Sequence, residues 1–193
     1  MESVQTIPLP DREVPLAEYR AQCVDVPKFL GYCTACPNYG GTWSCPPFDF
    51  DPQEIWDRYD RILLRAVKVP VPAELREKVL SPQEINDESH ALLAPIKHDL
   101  LSSLLEQERA TPGSLALSAG RCQECPEGRC TKPAHQPCRQ PGRMRHSIES
   151  LGGDVGKTLS LYLGQELLWG REGHLPEYYI LLGGLLLGGP QEK

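Results

Sequence analysis

Seven of the eight cysteines in this chain lie in two short segments framed by proline, and any fold the chain adopts must present both. The first reads GYCTACPNYGGTWSCPP over 31–47 and carries Cys33, Cys36 and Cys45. The second reads CQECPEGRCTKPAHQPC over 122–138 and carries Cys122, Cys125, Cys130 and Cys138. Proline follows Cys36, Cys45 and Cys125 and precedes Cys138. Proline fixes φ and lacks an N–H, so it blocks helix continuation and keeps these thiols on stiff, irregular loops. Loops of that kind suit a compact metal centre.

Four thiolates supply a complete tetrahedral zinc shell or hold the four irons of a cubane cluster. The C-x2-C-x4-C-x7-C spacing of the second set matches neither a paired zinc ribbon nor the bacterial ferredoxin run, so it argues for metal without selecting one. The first set offers only three close thiols. Its fourth ligand is left open between Cys23, a residue such as His135, and a water or substrate, and an open position is what distinguishes a reactive metal from a structural one. Cys23 lies ten residues before Cys33 in a helical stretch and reads as a small core residue. Between Gly120 and His146 the chain carries Arg121, Arg129, Lys132, Arg139, Arg143 and Arg145 against Glu124 and Glu127. That excess suits a four-thiolate centre with net negative charge.

Two other motifs are weaker. GGDVGKT near 156 resembles a phosphate loop, but the spacing needs glycine where Leu151 stands. CTAC resembles a redox dithiol, yet that reading leaves Cys45 and the second set unexplained. His90, His98, His146 and His174 are scattered and suggest no triad.

The 193 residues suffice for one domain with a real core, without disulfides. The start of the chain does not read as a signal peptide, and YYILLGGLLLGG is too short and glycine-rich for a membrane span. The expected setting is therefore a reducing cytoplasm, where clustered thiols stay free to ligate. A net charge of −6 argues against nucleic-acid partners.

Local signals give a coarse map. Asp51-Pro52 and Ser81-Pro82-Gln83-Glu84 open helices, the second expected to break or kink at Pro95. Leu100, Leu101, Leu104 and Leu105 recur at helical spacing. Strands are predicted over Ile62 to Val69, 114–120, QELLW and EYYILL, and helices over Met144 to Leu151 and Val155 to Leu163, the latter capped by Asp154. Strands and helices alternate without a strict repeat. The expected fold is α/β of the α+β type: one domain, a mixed or antiparallel sheet covered by helices, and two cysteine-rich metal-binding loops. The organisation expected is an N-terminal extension over 1–18, a metal-binding domain over 19–187 and a flexible tail over 188–193.

CTACPNYGGTWSCPP, SAGRCQECPEGRC, PCRQPGRMRHSIESLGGDV and LPEYYILLGGLLL together resemble the family of predicted metal-binding proteins known as domain of unknown function 2284, from about Tyr19 to Leu187. The resemblance implies Cys33, Cys36, Cys45, Cys122, Cys125, Cys130 and Cys138 as ligands, and places Arg145, Ser147 and Glu149 in a characteristic Arg-x-Ser-x-Glu segment. On a helix Arg145 and Glu149 share a face, where they pair with each other or support the cluster from behind its ligands. The leading expectation is a cytoplasmic iron–sulfur protein, with Cys122, Cys125, Cys130 and Cys138 holding a 4Fe–4S cluster, a redox partner protein and no nucleic-acid or membrane partner. Zinc on the same thiols, stapling an interaction module, and a metal-dependent enzyme with an open coordination position are the alternatives.

Overall fold

The computed structural model describes residues 5–125 and 129–189. Glu127, the first four residues of the extension and the end of the expected tail lie outside the described residues. Among the described residues, six α-helices accompany a five-stranded antiparallel sheet.

The sheet is built on two long partners. β3 (Arg61–Pro70) pairs along its whole length with β5 (Tyr178–Leu187), from Arg61↔Leu187 to Pro70↔Tyr178. β1 (Ile7–Pro8) and β2 (Arg12–Pro15) line the free edge of β3, and β4 (Leu115–Leu117) lines that of β5. Alternation along a strand sends successive side chains to opposite faces. Ile62, Leu64 and Ala66 of β3 thus join Ile180, Leu182 and Leu186 of β5 in one core, with Tyr19, Trp56, Ile148, Leu151 and Leu159. Val69, Leu181, Leu185 and Leu187 face the other way.

That second face is covered by α5 (Pro82–Ala110), whose Leu92, Ile96, Leu100, Leu101, Leu104 and Leu105 form the buried stripe. A full capping box starts it: Ser81 Oγ accepts the Glu84 N–H, and Glu84 accepts the Ser81 N–H. At Gly183 the helix and β4 both crowd the strand. A Cβ there would stand 2.7 Å from Leu104 Cδ1 and 2.9 Å from the Leu117 carbonyl oxygen.

The first face is covered by α1 (Leu16–Cys23), α2 (Val26–Thr34), α3 (Pro52–Trp56) and α6 (Val155–Leu163). Asp51 caps α3 through the Gln53 N–H at 2.9 Å, and Asp154 caps α6 through the Lys157 N–H at 2.8 Å, both as expected. α4 (Ala73–Arg76) is a single exposed turn after β3.

Three local expectations are corrected. Pro95 does not break α5, which runs unbroken through it: Pro95 is exposed, and the buried Leu92 and Ile96 on either side hold the turns together. The 144–151 stretch forms only a short 3-10 turn over Glu149–Leu151. There Ser147 and Ser150 take each other's backbone N–H groups, at 3.0 and 3.2 Å, giving the chain partners other than helix carbonyls. QELLW is not a strand: 165–169 joins no ladder among the described residues, and its Glu166 carbonyl accepts a hydrogen bond from the Tyr178 hydroxyl at 3.1 Å instead.

Candidate metal centre

The first cysteine segment begins where α2 ends. Cys33 sits in the last turn of α2, and a run of tight turns follows: Cys36 N–H to the Cys33 carbonyl (3.0 Å), Tyr39 N–H to Cys36 (3.0 Å), Gly41 N–H to Asn38 (2.9 Å) and Cys45 N–H to Thr42 (3.1 Å). Gly40, with φ of 69°, donates to the Pro46 carbonyl at 2.8 Å and folds the segment back. The Asn38 backbone N–H points at Cys36 Sγ, 3.5 Å away. Cys36 is exposed, and Cys33 and Cys45 are half-buried.

The second segment is suspended from the sheet at one place. Ser118 bridges to Ser147, donates its N–H to the His146 carbonyl at 2.8 Å, and reaches the Gly120 and Arg145 carbonyls through its hydroxyl. Within the loop so closed, Cys122, Cys125, Cys130 and Cys138 line one small cavity together with Trp43, Gln123, Gln140 and Met144. The Gln140 N–H points at Cys138 Sγ at 3.4 Å, repeating the two-residue step seen at Cys36. Backbone N–H groups aimed at sulfur favour the thiolate, the form that ligates.

Burial and crowding hold the protons on. Burial pushes the Cys122 thiol up to about 11 against the help of the Glu124 backbone N–H, with Glu124, Cys125 and Cys138 adding to the rise. Cys125 is raised by burial and by Cys130 and Cys138, and Cys33 by burial and by Cys36, Cys45 and Glu149. Cys33, Cys122 and Cys125 are thus each raised by other members of their own set. A bound cation reverses that balance by displacing the protons.

The two loops interlock. Ser44 Oγ accepts the Cys122 N–H at 2.9 Å, and Trp43 Nε1 donates to Thr131 Oγ1 at 3.3 Å and to the Gln136 carbonyl at 3.2 Å. Lys132 Nζ donates to the Cys45 and Pro47 carbonyls at 2.6 and 2.8 Å. His146 Nδ1 lies 3.3 Å from the Ser44 carbonyl, its ring edge-on to Phe48 and Phe50. Burial lowers its pKa, so it stays neutral and acts as a joint between the loops.

Arg145 and Glu149 do not pair with each other. Arg145 forms a two-pronged ion pair with Glu108 of α5, one prong Nε to Oε2 at 2.8 Å, and Glu108 also accepts the Ala116 N–H. Burial works against the Glu108 charge, but Arg145 and Ala116 hold its carboxyl below the usual range. Glu149 instead turns inward: its Oε2 is buried without a hydrogen-bond partner, and burial raises its pKa against the pull of Ser147 and Lys97. Cys23 is buried in the core on α1, 1% exposed, and His135 is exposed after a 3-10 turn.

Among the described residues, no three His, Cys, Asp or Glu side chains are already gathered to hold one metal ion. The quartet surrounds its cavity without closing on it. The donor set still fits a thiophilic metal: four reduced thiols face one space, with backbone N–H groups directed at sulfur.

A single α+β unit presenting reduced thiols on two interlocked loops has the make-up of a cysteine-rich metal-binding protein. The chain belongs to the family described as predicted metal-binding protein, DUF2284, which matches residues 21–187. No curated protein and no solved structure matches it. Among the described residues no helix is long and apolar enough to cross a membrane.

Proposed function

We propose that the protein holds a 4Fe–4S cluster on Cys122, Cys125, Cys130 and Cys138 and works in electron transfer, or in an accessory step for a partner redox enzyme of the cytoplasm. The observation that carries this reading is the single cavity lined by all four thiols. Such a cluster supplies one-electron chemistry at a potential set by hydrogen bonds to sulfur, charge and solvent exposure. The chain's own residues act on each of these. Gln140 directs its N–H at Cys138, Trp43 and Met144 wall the cavity, and Arg143 is anchored on Glu124 at 2.5 Å beside Cys125. Cys33, Cys36 and Cys45 form a second, three-thiol station for a metal, tied to the first by Lys132.

One zinc ion on the same quartet is the second reading, and the size of the cavity favours it. Its interior is about 10 Å³, room for one water-sized sphere, so a cubane requires the loop to open outward while a single ion does not. Anaerobic purification separates the two. Iron–sulfur protein is brown, contains iron and acid-labile sulfide and bleaches on reduction, whereas zinc has a filled d shell and no such colour. Colourless protein with stoichiometric zinc and no sulfide overturns the cluster.

A further inference from the structure

A second cavity of about 600 Å³ opens beside the quartet, a size typical of small-molecule sites. One wall is a stripe of α5 at helical spacing, with His90, Lys97 and His98 on it; the other is the chain from Ser118 to Cys125. Cys122, Gln123 and Cys125 line this cavity and the quartet cavity alike, so the two share a partition.

The charge of the larger cavity is one-sided. Its one lining carboxylate, Glu124, is engaged by Arg143 at 2.5 Å and faces His98 Nδ1 at 3.5 Å. Lys97 and Arg121 also line it and belong to none of the ion pairs among the described residues. Gly120, with φ of 69°, makes room for the lysine: a Cβ there would stand 3.3 Å from Lys97 Nζ and 3.9 Å from Glu149 Oε1. Lys97 is half-buried, and burial lowers its pKa against the pull of Glu149, with Arg121 adding to the fall. Lys97 thus lines the cavity on one wall and Arg121 on the other. Among the described residues no carboxylate stands within ion-pairing distance of Lys97 or Arg121, and an anion supplied from solution would offset the cost of holding both charges in the cavity.

We propose that this cavity binds a small oxyanion, a carboxylate or phosphate group held between Lys97 and Arg121 and seated against Cys122 and Cys125. The guanidinium offers a planar fork to two oxygens, and the ammonium adds a point charge from the opposite wall. The proposal rests on the proposed function for what the anion meets, a loaded quartet, and not for how the anion is held.

Calorimetric titration of anaerobically purified full-length protein with inorganic phosphate, and separately with succinate, tests it at constant ionic strength with chloride as control. One-to-one saturation is expected, and the anion that binds more tightly identifies the group. Lys97→Gln and Arg121→Gln should each weaken binding about tenfold or more, the loss of one charge-assisted hydrogen bond. Lys97→Arg should retain most of it, and Lys157→Gln on the exposed side of α6 all of it. Metal content, absorption spectrum and melting temperature of each variant are read alongside. Anion binding lost with metal retained supports the site. Saturable binding to protein that carries no metal supports the site and overturns the metal reading instead. Metal-loaded protein that saturates with neither anion, or whose binding is indifferent to both charge-removing substitutions, overturns the site. If Lys97→Gln fails to fold, Arg121→Gln and Lys97→Arg decide the matter.

Discussion

Lys132 and Cys45 are 87 residues apart in the chain, yet Lys132 Nζ stands 2.6 Å from the Cys45 carbonyl oxygen. The same ammonium reaches the Pro47 carbonyl at 2.8 Å, so one side chain of the second loop caps two carbonyls of the first. Lys132→Met keeps the stem and removes both bonds. It should cost about 2 kcal/mol, the scale for hydrogen bonds to a charged group. Because the tie joins both loops, metal should be lost from the two sets together. Denaturant unfolding with metal analysis checks this, and loss from the second set alone would show that the tie does not couple them.

The eight cysteines should separate into two kinds. Cys125→Ser or Cys130→Ser should remove most of the metal with little change in the core, since both line the quartet cavity. Cys23→Ser should leave metal in place but lower stability by about 1–3 kcal/mol, because it puts a hydroxyl at a buried core position. Metal content and thermal melts on the same preparations tell the two kinds apart. A Cys23 variant that loses its metal would move Cys23 into the site.

Alkaline pH should weaken the metal-free protein. The Cys122 thiol is raised from 9.0 to about 11 by burial, so the folded form holds its proton more tightly than the unfolded form does. The contribution to stability is full below about pH 9 and is lost as the pH rises through 11. Bound metal replaces the proton, so the loaded protein should lack this step, and loading should release protons. Unfolding curves from pH 8 to 11, with and without metal, read the difference.

Chelation should loosen the loops and spare the frame. Hydrogen exchange should rise over the described parts of 118–147 and over 35–48, while α5, β3 and β5 keep their protection. Binding energy at thiolate sites is partly folding energy, but the sheet carries its own apolar cores on both faces. Unchanged protection after metal removal would mean that the sites are not structural.

Local chemistry made much of the frame legible. The capping box at Ser81 and the caps at Asp51 and Asp154 are signals written in three or four residues, and the strand over 62–69 differs from β3 by one residue at each end. Met144 to Leu151 misled because Ser147 and Ser150 bond each other's backbone, a choice no periodicity records. QELLW misled because a strand needs a partner strand, and which segments find one is a property of the whole sheet. The cysteine segments announced themselves by spacing. Their supports did not: Trp43, Ser44, Lys132 and Glu108 meet their partners across long stretches of chain, and nothing near them in sequence marks the pairing.

The bridge between Ser118 and Ser147 makes the second loop a handle with both ends fixed at one point. A change in the loop's size is taken up at its ties to Ser44, Trp43 and Cys45 of the first loop, while β4 and β5 keep the register from Leu115↔Leu186 to Leu117↔Gly184. Evolution can likewise lengthen or reword the loop at small entropic cost, since closure depends only weakly on length. The same platform could thus be refitted for a different metal without redesigning the sheet beneath it.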